Sequence, residues 1–194
     1  MVKRGRRIVV LIATSADGYI ARKDGGFEWL DRPRPPGNYG MGAFVKSIDT
    51  VLWGRKTYDL AVRMGQADGG LGPKVHNYVF SHRPRKSRFP NVEFVKEPVR
   101  AFARRLRSRP GKDIWMMGGA GLIASFLDAG EIDEFIISVI PVFIGEGIPL
   151  IEPRRRLVGL RLRSVRRYPD GVVCLHYDVQ RRRAIERPRH AARR

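Results

Sequence analysis

Residues 114–123, Ile-Trp-Met-Met-Gly-Gly-Ala-Gly-Leu-Ile, constrain the fold more than any other stretch of the chain. An apolar run meets paired glycines and passes at once into a helical pattern, which predicts a buried strand, a tight turn and a helix start. Glycine lets the backbone come close to a ligand, and the free N–H groups and positive dipole end of a helix favour a phosphate. The stretch thus admits two readings, a plain structural turn or the cradle of a nucleotide. It lacks the G-x-G-x-x-G spacing of the dinucleotide fingerprint and sits late in the chain, so it is not that motif.

The same alternation runs through the rest of the sequence. Ile8 to Thr14 is a continuous apolar, β-branched run, the pattern of a strand buried on both faces near a sheet centre. Asp24 to Gly42 is dense in glycine and proline and reads as a long irregular loop, a candidate substrate wall. Ala43 to Ile48 reads as the end of a short helix, Thr50 to Trp53 as a strand turning at Gly54, and Lys56 to Met64 as a helix. Val75 to Phe80 and Val92 to Val95 read as strands. Pro98 opens a helix whose Val99, Phe102, Ala103 and Leu106 share one stripe, with Arg100, Arg104, Arg105 and Arg107 on a solvated face. Leu122, Ile123, Phe126 and Leu127 repeat the stripe up to Gly130, and Phe135 to Val142 is a further strand. Leu157 to Val165 and Val172 to Val179 alternate around Tyr168-Pro169-Asp170-Gly171, which predicts a closing hairpin. Strands alternating with helices and ending in a hairpin predict a three-layer α/β/α domain whose mostly parallel central sheet closes with an antiparallel C-terminal hairpin.

A net charge of +19 suggests nucleic acid until it is located. Residues 1–7 and 180–194 together hold +10 of it, and no aromatic-basic interleaving or helix-turn-helix pattern accompanies it. The expected layout is a basic N-terminal extension over 1–6, one domain over 7–180, and a basic, disordered tail over 181–194 with at most non-specific contact to polyanions. Lys3 to Arg7 leads straight into an apolar strand, and no run is long and apolar enough to span a bilayer, so a soluble, cytoplasmic protein is expected. Cys174 is the one cysteine and reads as a small buried hydrophobe. His82 reads as a lone solvated histidine, and neither His76 nor His176 has neighbours at metal-ligand spacing, so no metal site is expected. Trp29, Trp53 and Trp115 read as core or loop anchors.

Five segments, in this order, carry a resemblance: Ser15-Ala16-Asp17-Gly18-Tyr19-Ile20-Ala21, Trp53-Gly54-Arg55-Lys56-Thr57-Tyr58, Val79-Phe80-Ser81-His82-Arg83, Met117-Gly118-Gly119-Ala120-Gly121, and the run from Pro141 to Leu150. Over about residues 7–180 the chain resembles the dihydrofolate reductase-like superfamily, in the branch holding the reductase domain of riboflavin biosynthesis and its stand-alone relatives. The resemblance implies NADPH as cofactor, lying across the C-terminal ends of the strands. Gly54, Arg55, Lys56 and Thr57 would open a helix at the pyrophosphate, with Arg55 reaching toward the adenosine phosphate. Ser81, His82 and Arg83 would hold the adenosine ribose and its 2′-phosphate, a dianion suited to a guanidinium fork. Gly118, Gly119, Ala120, Gly121, Leu122 and Ile123 would form a second phosphate-binding turn, and Ala13 with Asp17, Gly18, Tyr19 and Ile20 would flank the nicotinamide. Beside these roles stands the plainer reading of Arg55, Lys56, His82 and Arg83 as ordinary surface residues.

Asp17, Glu28 and Asp31 are the candidate catalytic residues, with Tyr39 as a further substrate- or proton-handling group. Folate-reducing members of the superfamily place an acid in the first helix, where this chain has Gly40; Glu28 and Asp31 are the acids left to replace it. The H-x-E and P-C-x-x-C deaminase signature is absent, so the bifunctional riboflavin enzyme's zinc half is not carried here. The resemblance implies an NADPH-dependent reductase acting on a small heterocyclic or sugar-linked substrate, most specifically 5-amino-6-(5-phosphoribosylamino)uracil. A dihydrofolate or pteridine reductase, a basic nucleic-acid-binding protein and an inactive nucleotide-binding scaffold are the competing expectations. It also implies a homodimer, with Phe135 to Leu150 contributing to the interface.

Overall fold

The structure is a computed structural model and describes residues 5–66 and 68–180. Strand β1 (Ile8–Ser15) leads to the short β2 (Tyr19–Ala21), a loop with two 3-10 turns (Glu28–Leu30 and Asn38–Gly40), helix α1 (Met41–Ser47) and β3 (Ile48–Gly54). Helix α2 (Arg55–Arg63), β4 (His76–Phe80), β5 (Val92–Val95) and α3 (Val99–Arg107) follow. The paired glycines join β6 (Asp113–Gly118) to α4 (Ala120–Asp128), and β7 (Glu134–Ile140), β8 (Ile148–Pro149), β9 (Leu160–Arg167) and β10 (Val173–Val179) come last.

Eight strands form one sheet in the order β5-β4-β3-β6-β1-β7-β10-β9, while β2 and β8 pair separately. From β5 to β7 neighbouring strands are parallel, and β10 and β9 close the sheet antiparallel. Lying between β6 and β7, β1 buries Ile8, Val9 and Val10 on both faces, which explains an apolar run without alternation. On one face Phe102 and Leu106 of α3 and Ile123 and Phe126 of α4 pack on Ile8, Val10, Leu52, Ile114 and Met116. On the other, Tyr58 and Ala61 of α2 pack with Val51, Trp53, Val79 and Trp115, and Phe44 of α1 meets Trp115 edge-on. Each such fully buried large side chain contributes about 1.5–3 kcal/mol. The three layers expected from the sequence are therefore present, and the C-terminal ends of the parallel strands meet at one edge, where open α/β sheets take their ligands.

Several local expectations are corrected by the packing. The Asp24–Gly42 loop is less irregular than its composition suggests, since it holds both 3-10 turns and Met41 and Gly42 already belong to α1. Arg107 does not lie on a solvated helix face. It donates to the carbonyls of Arg6 and Glu131, both at 2.8 Å, and pairs with Asp133 at 2.7 Å, because the end of α3 abuts the chain entering β1 and β7. Cys174 is half-buried on β10, and burial still pushes its thiol pKa up. Further out, β9 starts at Leu160 rather than Leu157, and Leu160, Leu162 and Val165 remain 43%, 52% and 51% exposed at the sheet's edge. Within the expected interface segment Phe135 and Ile140 are buried inside this chain, and Phe143 is the large apolar side chain that projects.

Residues 1–4 and the tail over 181–194 lie outside the described residues. Arg6, assigned by sequence to the extension, belongs to the folded body: it is buried, donates to Lys112 O and Thr50 Oγ1 at 2.7 Å each, and pairs with Asp49. Among the described residues no helix is long and apolar enough to cross a membrane.

Candidate active site

Two strand-to-helix turns meet at the carboxyl edge. Gly54 carries β3 into α2, and Gly118 and Gly119 carry β6 into α4; the Gly118–Gly119 peptide is cis. A Cβ on Gly54 would sit 3.0 Å from the Gly119 nitrogen and 3.2 Å from the Gly118 carbonyl oxygen, so the two turns are in backbone contact. Gly118 has φ +119°, a region that side-chain-bearing residues avoid. The Thr57 hydroxyl stands over Gly119, 3.0 Å from where its Cβ would be. Neither helix has a side-chain cap, although Leu122 and Ile123 return their N–H groups to Gly119 O at 3.0 Å. Two helix N-termini without side-chain caps, side by side and lined by glycine, make a cradle that fits a pyrophosphate.

Around this cradle the basic residues differ in what they already hold. Arg55 donates through Nε to both carboxylate oxygens of Asp59, at 2.7 and 2.8 Å, and lies 5.4 Å over the Phe94 ring. Lys56, His82 and Arg83 are exposed. The Ser81 hydroxyl accepts the Arg83 N–H at 3.2 Å and donates to Arg83 O at 3.0 Å, closing a tight turn at the end of β4. Beyond it a cavity of about 230 Å³ is lined by Tyr58, Val62, Arg85, Arg88, Phe89 and Phe94. Arg85, whose guanidinium also lies over Phe94 at 5.1 Å, was missed from sequence; the density of cations in residues 83–88 was the available signal.

The residues expected at the nicotinamide end follow β1. Ala13 is half-buried on the strand; Gly18, with φ +87°, turns the chain into β2, where Tyr19 and Ile20 are half-buried. Asp17 accepts the Ser15 hydroxyl at 2.5 Å and the Gly145 and Ile144 amides at 2.8 and 3.2 Å, and Leu150 N–H bonds Gly18 O at 3.1 Å. The Ser15 hydrogen bond, followed by the two amides, holds the Asp17 carboxyl below the usual carboxylate range. It is an ionised clasp on the 144–145 turn.

A depressed folded-state pKa means that this clasp acts at and above the ordinary carboxylate range and is lost as pH falls through the folded value. We expect the Ile144 and Gly145 amides to exchange roughly tenfold faster in Asp17→Ala than in the wild type at neutral pH, the scale of one hydrogen bond. Hydrogen-exchange mass spectrometry checks this, and the wild type should lose the same protection only on acidification below about pH 4.

Glu28 is exposed and tied to Arg22, whose hydrogen bond also lowers its pKa. Asp31 is exposed at the end of the same 3-10 turn. The three acids do not share a carboxylate site: Asp17 is held by Ser15 and the 144–145 turn, Glu28 by Arg22, and Asp31 meets Glu28 through the backbone alone, its N–H donating to Glu28 O at 2.9 Å. Tyr39 instead donates its phenol to Asp170 and meets the Tyr168 ring edge-on at 4.9 Å. Gly40, where a pterin-binding acid would fall, caps α1 with φ +86°.

Residues 6–174 match the RibD C-terminal domain family. The uncharacterized protein YwjB of Bacillus subtilis (strain 168) is 40% identical over 172 residues, covering 89% of this chain and 97% of YwjB. A solved structure from Shewanella sp. PV-4, described as a candidate riboflavin biosynthesis protein, superposes with a TM-score of 0.79 at 25% identity over 90% of this chain and 99% of that one. Dihydrofolate reductase from Enterococcus faecalis, solved with NADP(H), superposes with a TM-score of 0.63 over 90% of this chain and 97% of that one, a likeness of fold at 14% identity. With its glycine turns converging at the carboxyl edge of a mostly parallel sheet, the chain belongs to the RibD C-terminal domain family and has the dihydrofolate reductase-like fold.

Proposed function

We propose that this protein is an NADPH-dependent reductase of a small heterocyclic or sugar-linked imine or carbonyl, with 5-amino-6-(5-phosphoribosylamino)uracil as the most specific substrate. The observation that carries the reading is the backbone contact between the two uncapped helix N-termini at Gly54 and Gly118–Gly119. Bound there, NADPH would supply the hydride. The protein's own part is positioning and the exclusion of water: α2 and α4 hold a pyrophosphate, the β1–β2 turn and its Asp17 clasp form one wall, and the 24–40 segment forms the other. Reduction also needs a proton. Asp17 and Glu28, held as carboxylates near neutral pH, can accept one but do not store one for delivery. A pterin substrate is disfavoured because Gly40 offers no carboxylate at the head of α1.

Titration of the purified protein with NADPH and, separately, NADH, followed by nicotinamide fluorescence at moderate salt, tests this. Saturable binding that prefers NADPH is expected. Arg83→Ala should reduce that preference about tenfold, the effect of one charge-assisted hydrogen bond. Arg55→Ala should change it less, since Asp59 already holds that guanidinium. No binding of either nucleotide by folded protein would overturn the reading.

A further inference from the structure

The loop before α1 is held at both ends by one residue, 131 positions away from Tyr39 in sequence. Asp170, in the turn between β9 and β10, receives the Tyr39 phenol on Oδ2; its backbone carbonyl accepts Arg32 Nη2 at 2.6 Å, and the same Arg32 nitrogen lies 3.6 Å from Oδ2. Between these attachments the backbone is unusual. Gly37, Asn38, Tyr39 and Gly40 have φ values of +79°, +43°, +56° and +86°, four consecutive left-handed residues of which two carry side chains. Asparagine tolerates this region, but an aromatic residue such as Tyr39 keeps it where its surroundings impose it. Here the surroundings are Asp170 and the edge of Tyr168.

This attachment lies at the same edge as the candidate site. The Asp170 turn abuts β7's end, where a Cβ on Gly171 would sit 3.3 Å from Pro141 Cγ, and Ala16 N–H bonds the neighbouring Val142 O at 2.8 Å just before Asp17. On its other side Gly40 leads directly into α1, whose Phe44 meets Trp115, and Trp115 Nε1 donates to Leu11 O of β1 at 3.0 Å. The placement of the 32–40 segment is thus tied on one side to the β1–β2 wall and on the other, through α1 and Trp115, to the central sheet.

We propose that Asp170 is a positioning residue, pinning Arg32 and Tyr39 so that the 32–40 segment forms a fixed wall for the second substrate, a role that rests on the reductase reading above. Nucleotide binding, which uses the turns at Gly54 and Gly118–Gly119, is independent of this pin.

The test compares the wild type with Asp170→Asn, Asp170→Ala and Tyr39→Phe. Hydrogen exchange is read in peptides spanning 35–42, where Asn38 N–H bonds Pro35 O and Gly40 N–H bonds Gly37 O, both at 2.9 Å. Exchange there should rise by about tenfold or more in Asp170→Ala and less in Tyr39→Phe, which keeps the ring, while peptides of α2 and α4 stay unchanged. The NADPH titration midpoint should remain within about twofold of wild type. With 5-amino-6-(5-phosphoribosylamino)uracil as probe at saturating NADPH, KM should rise roughly tenfold and kcat change less than about threefold. Unaltered exchange in 35–42, or a fall in kcat at constant KM, would overturn the role. Should wild type fail to bind NADPH, the reductase reading falls, and the exchange data still decide whether Asp170 holds the segment. If Asp170→Ala does not fold, Asp170→Asn and Tyr39→Phe carry the comparison.

Discussion

Replacing Gly54 by alanine should lower NADPH affinity by about 100-fold or more in a protein that still folds. The added methyl would lie 3.0 Å from the Gly119 nitrogen and 3.2 Å from the Gly118 oxygen, and both are backbone atoms that cannot swing aside as a side-chain end would. Relief requires α2 and α4 to separate at their first turns, where the two sets of N–H donors converge. Losing two hydrogen bonds to a charged group, each about 1.5–3 kcal/mol, accounts for the expected factor. Overpacking would also destabilise the fold by about 1–3 kcal/mol. Gly121 provides the contrast: it is helical, and a Cβ there meets the Glu152 carboxylate at 3.5 Å, an ordinary contact. Gly121→Ala should therefore melt at or above the wild-type temperature, since alanine favours a helix over glycine by roughly 0.5–1 kcal/mol. Fluorescence titration with NADPH beside thermal melts of both variants provides the check. Wild-type affinity in folded Gly54→Ala would mean that the anion is bound elsewhere.

The largest loss of stability is expected from Glu134→Ala, at the opposite edge of the sheet. Glu134 begins β7 with its side chain 5% exposed, and Arg7, Arg163 and His176 converge on its carboxylate. The Arg163 and His176 nitrogens each lie 2.9 Å away, and Arg7 is shared with Asp113 through a 2.9 Å hydrogen bond from Nε. Removing the acid leaves Arg7 to Asp113 and Arg163 to Asp178, with one negative charge fewer between them in a chain that already carries +19. Breaking a fully buried pair from one side costs about 3–5 kcal/mol. Here Arg163 is 39% exposed and keeps Asp178 at 3.3 Å, and Arg7 keeps Asp113, so about 2–3 kcal/mol is expected, which for a chain of this size lowers Tm by roughly 4–12 °C. Glu134→Gln keeps an acceptor oxygen and should lose less. Urea unfolding checks both, and a loss below about 1 kcal/mol for the alanine variant would contradict a stabilising role.

Strands packed on both faces were legible because their composition is dictated by burial alone: Ile8 to Thr14 and Ile114 to Met116 have no polar face to offer. The helix stripes at Phe102, Ala103 and Leu106 and at Ile123, Phe126 and Leu127 were legible for a related reason, since 3.6-residue periodicity is a property of the segment itself. The pairing of β2 with β8 was not, because strands of three and two residues are too short to show alternation and depend on the Asp17 clasp. Nor was the exposure of Leu160, Leu162 and Val165, whose alternation is that of a half-buried strand; they stay open because β9 is the last strand of the sheet.

The candidate site divides along the same line. By itself the sequence determined which turns carry glycine, where helices start behind them, and that cations follow β4, because each depends on neighbours a few residues away. Only the tertiary structure brought Gly54 against Gly119, turned Arg55 onto Asp59, made Asp17 a loop clasp and joined Tyr39 and Arg32 to Asp170. Those contacts join segments distant in the chain, or choose among partners that local spacing leaves equally open. The physical reason is that local propensity and burial act along the chain, whereas a hydrogen bond or an ion pair is selected by what the packed sheet places within about 3 Å of a given atom.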